Sequence, residues 1–154
     1  MANVEMAESY LTRSRAKLDE ARRQLKSVRY AESVSASQES IELAVKGLFL
    51  ACDVSFKKSH DIKELDFAKV LPNIPDNAAK THNFPRVLLL AWFWSGFYLT
   101  AKYGHEELRV GADKLFKKDE AELAVAHAQE CQYACDHAFR QIRLEGEGDY
   151  PARS

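Results

Sequence analysis

The sequence has little of most things that would mark a specialised class of protein. It holds 3 cysteines in 154 residues, Cys52, Cys131 and Cys135. An odd number without a secretory signal argues against a disulfide framework and for a reducing, cytoplasmic compartment. Neither sign of charge prevails. With 22 basic and 23 acidic residues the formal charge is −1, so no global field draws the chain to nucleic acid or membrane, and any such binding must come from a local patch. No apolar run reaches the ~20 residues of a membrane-spanning helix. The most apolar stretch, Val87 to Thr100, is preceded by Asn83-Phe84-Pro85-Arg86, which reads as a helix start rather than a targeting segment. There is no internal repeat, low-complexity segment or strand-like alternation.

What is present is helical periodicity over most of a chain of single-domain length, and an apolar fraction of 46% is enough for one continuous core. From Val4 to about Val28 the apolar residues Met6, Tyr10, Leu11, Leu18, Ala21, Leu25 and Val28 approximate one stripe. A second helix spans about Tyr30 to Cys52. Ser27-Val28-Arg29 connects the two without Gly or Pro, and its length favours a sharp antiparallel turn over a kinked continuous helix. Asp61 is a candidate N-cap for a short helix from Ile62 to about Leu71, ended by Pro72 and Pro75. Pro85 suits the first turn of a long, nearly all-apolar helix that Gly104 stops. After a loop to about Lys118, Asp119 opens a last helix to roughly Leu144. The expected fold is all-α: an antiparallel up-and-down bundle of four long helices plus one short one over residues 1–144, with 145–154 a flexible tail.

Several groupings invite a functional reading, and each has a structural alternative. Lys57, Lys58 and His60 beside Asp61 could bind phosphate at the start of the short helix, or Asp61 could simply cap it. Arg15, Arg22, Lys26 and Arg29 form a basic stripe on the first helix, either tracking a phosphate backbone or pairing with acids such as Asp19 on a solvated face. Ser37, Glu39, Glu42 and Lys46 are helical neighbours on the second helix, a surface ion pair or buried polar anchors. His127, Cys131 and Cys135 recur every four residues. The first and third are about 12 Å apart along a helix axis, too far to share a metal ion, so burial is the expected role of the cysteines. Trp92, Phe93, Trp94, Phe97, Tyr98 and Tyr103 could stack bases, but their density on a helix with almost no charge points first to core and subunit packing.

The run Arg29-Tyr30-Ala31, then Ser37-Gln38-Glu39-Ser40, Glu42, Lys46-Gly47-Leu48 and Ser59-His60-Asp61-Ile62 with Leu65, resembles the HEPN family. Ala101-Lys102-Tyr103-Gly104 is similar to the Arg-Tyr-Pro or Arg-Tyr-Gly segment of many members, with Lys102 in the Arg place. The resemblance covers Glu5 to about Ile142. It implies a bundle of four long helices plus a short one, commonly a homodimer, acting on nucleotides or RNA, often paired with a minimal nucleotidyltransferase as toxin and antitoxin. It gives Tyr30, Ser37, Glu39, Lys46 and Asp61 a structural or dimer-cleft role. Members that cut RNA carry an Arg followed, after four to six residues, by a His. Here Arg86 occupies the Arg place, but Ala91, Trp92 and Phe93 stand where the His belongs, and no other Arg has a His at that spacing.

RNA cleavage without metal needs a general base or acid of near-neutral pKa and a cation for the phosphate, so the missing motif points to binding rather than catalysis. The expected function is a HEPN-type domain that binds nucleotide or RNA, through Lys57, Lys58, His60, Lys102, Tyr103, Arg22 and Lys26, or that binds a nucleotidyltransferase partner. The alternatives are a metal-independent ribonuclease using Lys102 and His105, and a purely structural interaction module. No metal, cofactor or membrane is expected.

Overall fold

The computed structural model describes residues 3–56, 62 and 65–148, and among them the architecture is all-α. Helix α1 (Val4–Lys26) is opened by Asn3, whose side chain accepts the Met6 backbone N–H at 3.0 Å. Helix α2 (Tyr30–Ala51) returns antiparallel to it, and α8 (Lys118–Gly148) packs along both. Helix α2 is the central element, with both apolar and polar side chains buried along most of its length.

The α1 register differs from the hydropathy stripe. The buried positions are Ala7, Leu11, Ser14, Leu18 and Ala21, whereas Met6 and Val28 are exposed. Their alternating spacing of four and three follows the helix period, but Ala and Ser carry little hydropathy and so leave a weak trace in the sequence. Small residues let the two helices approach closely. Ser14 Oγ donates to the Ser40 carbonyl and Ser40 Oγ to the Ser14 carbonyl, each at 2.8 Å, and Ser33 Oγ donates to the Ala21 carbonyl at 2.8 Å. A Cβ on Gly47 would meet Leu11 Cγ at 3.0 Å.

The α1–α2 connection is the antiparallel turn. Arg29 N–H bonds the Gln24 carbonyl and Val28 N–H the Leu25 carbonyl, with Val28 at φ 62°. This is the Schellman pattern, with a β-branched residue at the left-handed position that normally takes glycine. Asp53 (φ 57°) closes α2 in the same way, with Val54 N–H bonded to the Phe49 carbonyl.

Three boundaries depart from expectation. Where a short helix is expected over Ile62 to Leu71, the described residues show one α-helical turn, α3 (Phe67–Val70), followed by a 3₁₀ turn (Leu71–Asn73) that holds Pro72, and a further helix, α4 (Asp76–Thr81), begins directly after Pro75. A proline is compatible with the first turn of a helix, where no N–H is needed, so both prolines start segments rather than end one. The Asp61 cap lies outside the described residues.

The long aromatic helix is two helices, α5 (Phe84–Ser95) and α6 (Tyr98–Tyr103). At Gly96 and Phe97 the N–H groups reach back only three residues, to Phe93 and Trp94. The tightened turn sits where glycine weakens the helix, and Phe97 turns against Trp94 and Phe116.

The last helix runs past Leu144 to Gly148, so its described end reaches into the segment expected to be tail. Its inner face is Ala121, Ala124, Ala128, Cys131, Cys135 and Ala138. Between α6 and α8, His105 and Val110 pair as an isolated bridge, and a short helix α7 (Ala112–Leu115) follows. Gly104, at φ 78°, is needed there because a Cβ would collide with the Val110 carbonyl. No helix among the described residues is long and apolar enough to cross a membrane.

Candidate ligand-binding grooves

Three polar stripes converge beside the core. On α1, Tyr10, Arg13, Lys17 and Glu20 are spaced three, four and three residues apart, and on α2, Glu32, Ser35, Glu39, Glu42 and Lys46 alternate three and four, so each set lies along one helix face. Helix α6 adds Tyr98 and Lys102, four apart. Glu39 joins all three: one carboxylate oxygen pairs with Lys17 Nζ at 3.1 Å and the other with Lys102 Nζ at 3.2 Å. Burial works against ionisation of Glu39, but the hydrogen bonds from Lys17 and Lys102 outweigh it and hold the carboxyl below its usual range. The same bonds push both lysines up. Lys102 also lies 4.7 Å from the Tyr98 ring centre and donates to its hydroxyl at 3.3 Å. One turn along α2, Glu42 and Lys46 form a buried ion pair at 2.9 Å.

The Glu39–Lys102 bridge stands between two grooves. The larger, about 730 Å³, is lined by Lys17 and Lys102 but also by Glu20, Glu32, Glu39 and Asp113, so acids prevail. The smaller, about 270 Å³, is lined by Arg13, Lys46 and Lys102 with Glu39 and Glu42, and by the tyrosines Tyr10 and Tyr98, so bases prevail. Arg13 makes no ion pair among the described residues and lies 6.0 Å from the Tyr10 ring centre.

The residues singled out from sequence are thus partly gathered and partly dispersed. Glu39, Lys46 and Lys102 meet, and Tyr103 lines the larger groove. Ser37 is fully buried and its hydroxyl has no hydrogen-bond partner among the described residues, while Tyr30 begins α2 half-buried. Arg22 turns to α8, donating to Gln129 at 2.6 Å and Tyr133 at 3.2 Å and pairing with Asp19, and Lys26 is exposed in the last turn of α1. They do not line the grooves of Lys102. Lys57, Lys58, His60 and Asp61 lie outside the described residues. His105 is exposed, and its Nδ1 accepts the Leu108 backbone N–H at 3.2 Å, whereas Lys102 is directed to Glu39 and Tyr98. Sequence reasoning missed Tyr10 and Arg13 as groove residues, while Tyr98 stood in the aromatic set weighed for base stacking. The spacing of Tyr10, Arg13 and Lys17 was a usable signal, obscured because Tyr10 had been taken into the apolar stripe.

The Arg86 region does not rebuild a ribonuclease pair in space. Arg86 is tied to Glu130 at 2.7 Å. His127, one helical turn before Glu130, accepts the Trp94 indole N–H on Nδ1 at 3.0 Å. A neutral imidazole so bonded carries its proton on Nε2 and offers no base, and burial, followed by the charge of Arg86, keeps His127 below its usual pKa. Cys131 and Cys135 are core residues whose thiols burial pushes up.

Among solved structures, the chain is similar to TT1696 of Thermus thermophilus, with a TM-score of 0.67 at 22% identity over 86% of this chain and 97% of that one. At that identity the likeness speaks for the fold. No match was found among functionally curated proteins. The HEPN domain model matches residues 7–137, most of the bundle including all three polar stripes, and the chain therefore belongs to the HEPN family.

Proposed function

We propose that this HEPN domain is a non-catalytic binding domain for a nucleotide or a short stretch of single-stranded RNA, held in the smaller groove. The observation that carries the reading is the gathering of Arg13, Lys46 and Lys102 with the rings of Tyr10 and Tyr98 around Glu39 and Glu42. Cations recognise phosphate, and tyrosine faces stack bases with little sequence preference. The larger groove, with its acidic surplus, repels phosphate and leaves the smaller as the anion site. Binding without cleavage follows from the absent Arg–His motif and from the bonding of His127 and His105, neither of which is aligned as a base toward this groove.

The test is calorimetric titration of AMP and of a short single-stranded RNA at two salt concentrations, with RNA integrity followed in the same samples. Saturable, salt-weakened binding that drops roughly tenfold in Arg13→Ala, with intact RNA, is the expected result. Absence of binding overturns it and leaves an interaction module. RNA cleavage lost in His105→Ala would instead mark a ribonuclease.

A second reading has its own observation. Leu89, Trp92 and Phe93, three and four residues apart on α5, are 58%, 46% and 45% exposed. An apolar stripe of this kind on a helix without charge after Arg86 suits an isologous contact with a second copy. We propose that α5 is the homodimer face. A nucleotidyltransferase partner is the competing occupant, distinguished by whether the purified chain alone is dimeric.

A further inference from the structure

A separate groove of about 650 Å³ lies on the opposite side of α1, where Arg15, α4's end and the second half of α8 meet. At its centre, His82 Nε2 and His137 Nδ1 are 3.0 Å apart, the rings perpendicular with centres at 5.1 Å. Two neutral imidazoles joined in this way share one N–H. Of the two nitrogens left over, one is then a donor and the other an acceptor. A single added proton makes both of them donors and gives the pair a positive charge.

The surroundings favour that added proton only when an anion is present. Asp136 takes Arg15 at 3.0 Å on one carboxylate oxygen and Arg140 at 3.6 Å on the other. Two guanidiniums therefore share one carboxylate. Lys80, which with His82 lines the adjoining groove, adds positive charge, and other polar groups lining the His82–His137 groove are Gln141 and Tyr133, the latter bonded by Arg22. Burial, and then the charge of His137, holds His82 below its usual pKa. Gln132, 1% exposed, also lines the groove, and its Nε2 has no hydrogen-bond partner among the described residues.

We propose that this groove binds the dianionic head of a phosphate monoester, and that the His82–His137 pair takes up one proton as the ligand binds. With that proton, two guanidiniums and one imidazolium stand against one carboxylate, a surplus that matches a dianion and exceeds a carboxylate ligand. The site is independent of the nucleotide groove proposed above and shares no lining residue with it.

Sulfate is the probe, because it stays dianionic across the range in which a phosphate monoester itself titrates. Its affinity should fall as pH rises, by up to about tenfold per unit, since one proton is bound with each anion. The imidazole signals of His82 and His137 should move to the protonated position on titration. Arg140→Ala, at an exposed position that leaves the fold intact, should weaken sulfate roughly tenfold, and His137→Gln should abolish the pH slope. AMP, but not adenosine, should compete with sulfate in Arg13→Ala, where the other groove is disabled. No saturable sulfate binding, a flat pH dependence, or affinity unchanged in Arg140→Ala would each overturn the proposal. Competition by adenosine would show a base site rather than a phosphate site and overturn it as well.

Discussion

Along the seam between α1 and α2 the meeting residues are small. Ala7 faces Gly47, Ser14 exchanges hydrogen bonds with Ser40, and Ser33 reaches Ala21. Along α5 and α6 they are large: Trp94 and Phe97 pack inward with Phe116, which follows α7, while Leu89, Trp92 and Phe93 remain open to solvent. The first region buries its apolar surface within one chain and pairs Ser14, Ser33 and Ser40 there, Ser37 Oγ alone of these seam serines having no partner among the described residues. The second has more apolar surface than one chain covers. The difference teaches that low hydropathy can mark the better-packed face, because close helix approach is limited by side-chain size as well as by apolarity.

The seam should be the easier to break. Gly47→Val would push two methyl groups against Leu11 and the Ala7 carbonyl. Overpacking on this scale costs about 3 kcal/mol, or a fall of roughly 10 °C in Tm for a domain of this size, read by calorimetry. The aromatic segment should respond in assembly instead of stability. Leu89→Glu combined with Phe93→Glu should convert a dimer to a monomer in sedimentation, weakening association by roughly 100-fold with the helical circular dichroism signal retained. Unchanged self-association would place the dimer face elsewhere. At the seam's own end, Val28→Gly should stabilise by about 1 kcal/mol, measured by urea unfolding, because Val28 is 65% exposed and gains no packing in return for its left-handed backbone.

The smallest effect is in pH. His82 and His127 both have pKa values depressed in the folded chain, the first by burial and His137, the second by burial and Arg86. A histidine held neutral by folding contributes stability above its unfolded pKa, near 6.5, and that stability is lost as pH falls through the folded value. Without added anions, Tm should therefore drop on acidification from about pH 7.5 to about pH 5. His127→Gln should reduce the drop, and a Tm that rises instead would contradict the assigned hydrogen bonds.

Much of the fold is legible in the sequence. The extents of α1 and α2 and the start of α8 follow from helical periodicity, the α5 start from Asn83 and Pro85, and the α6 stop from Gly104. What escapes has local physical reasons. Gly96 alone does not foretell a break, since single glycines are tolerated in helices at a cost of about 1 kcal/mol. Val28 in a left-handed turn contradicts its own propensity, so no residue pattern announces the Schellman cap. The grooves are harder still, because Glu39 and Lys102 are brought together from distant parts of the chain, and the pairing of His82 with His137 depends on where α4 docks. Periodicity reports one helix face at a time, and these sites belong to several.

The reciprocal bonds of Ser14 and Ser40 have a consequence beyond their strength. Sliding α1 past α2 by one turn would take Leu11 away from Gly47, where there is little room for a Cβ. It would also leave two buried hydroxyls without their partners. The serines thus act as a checksum on register, adding little when the alignment is right and penalising it when it is wrong.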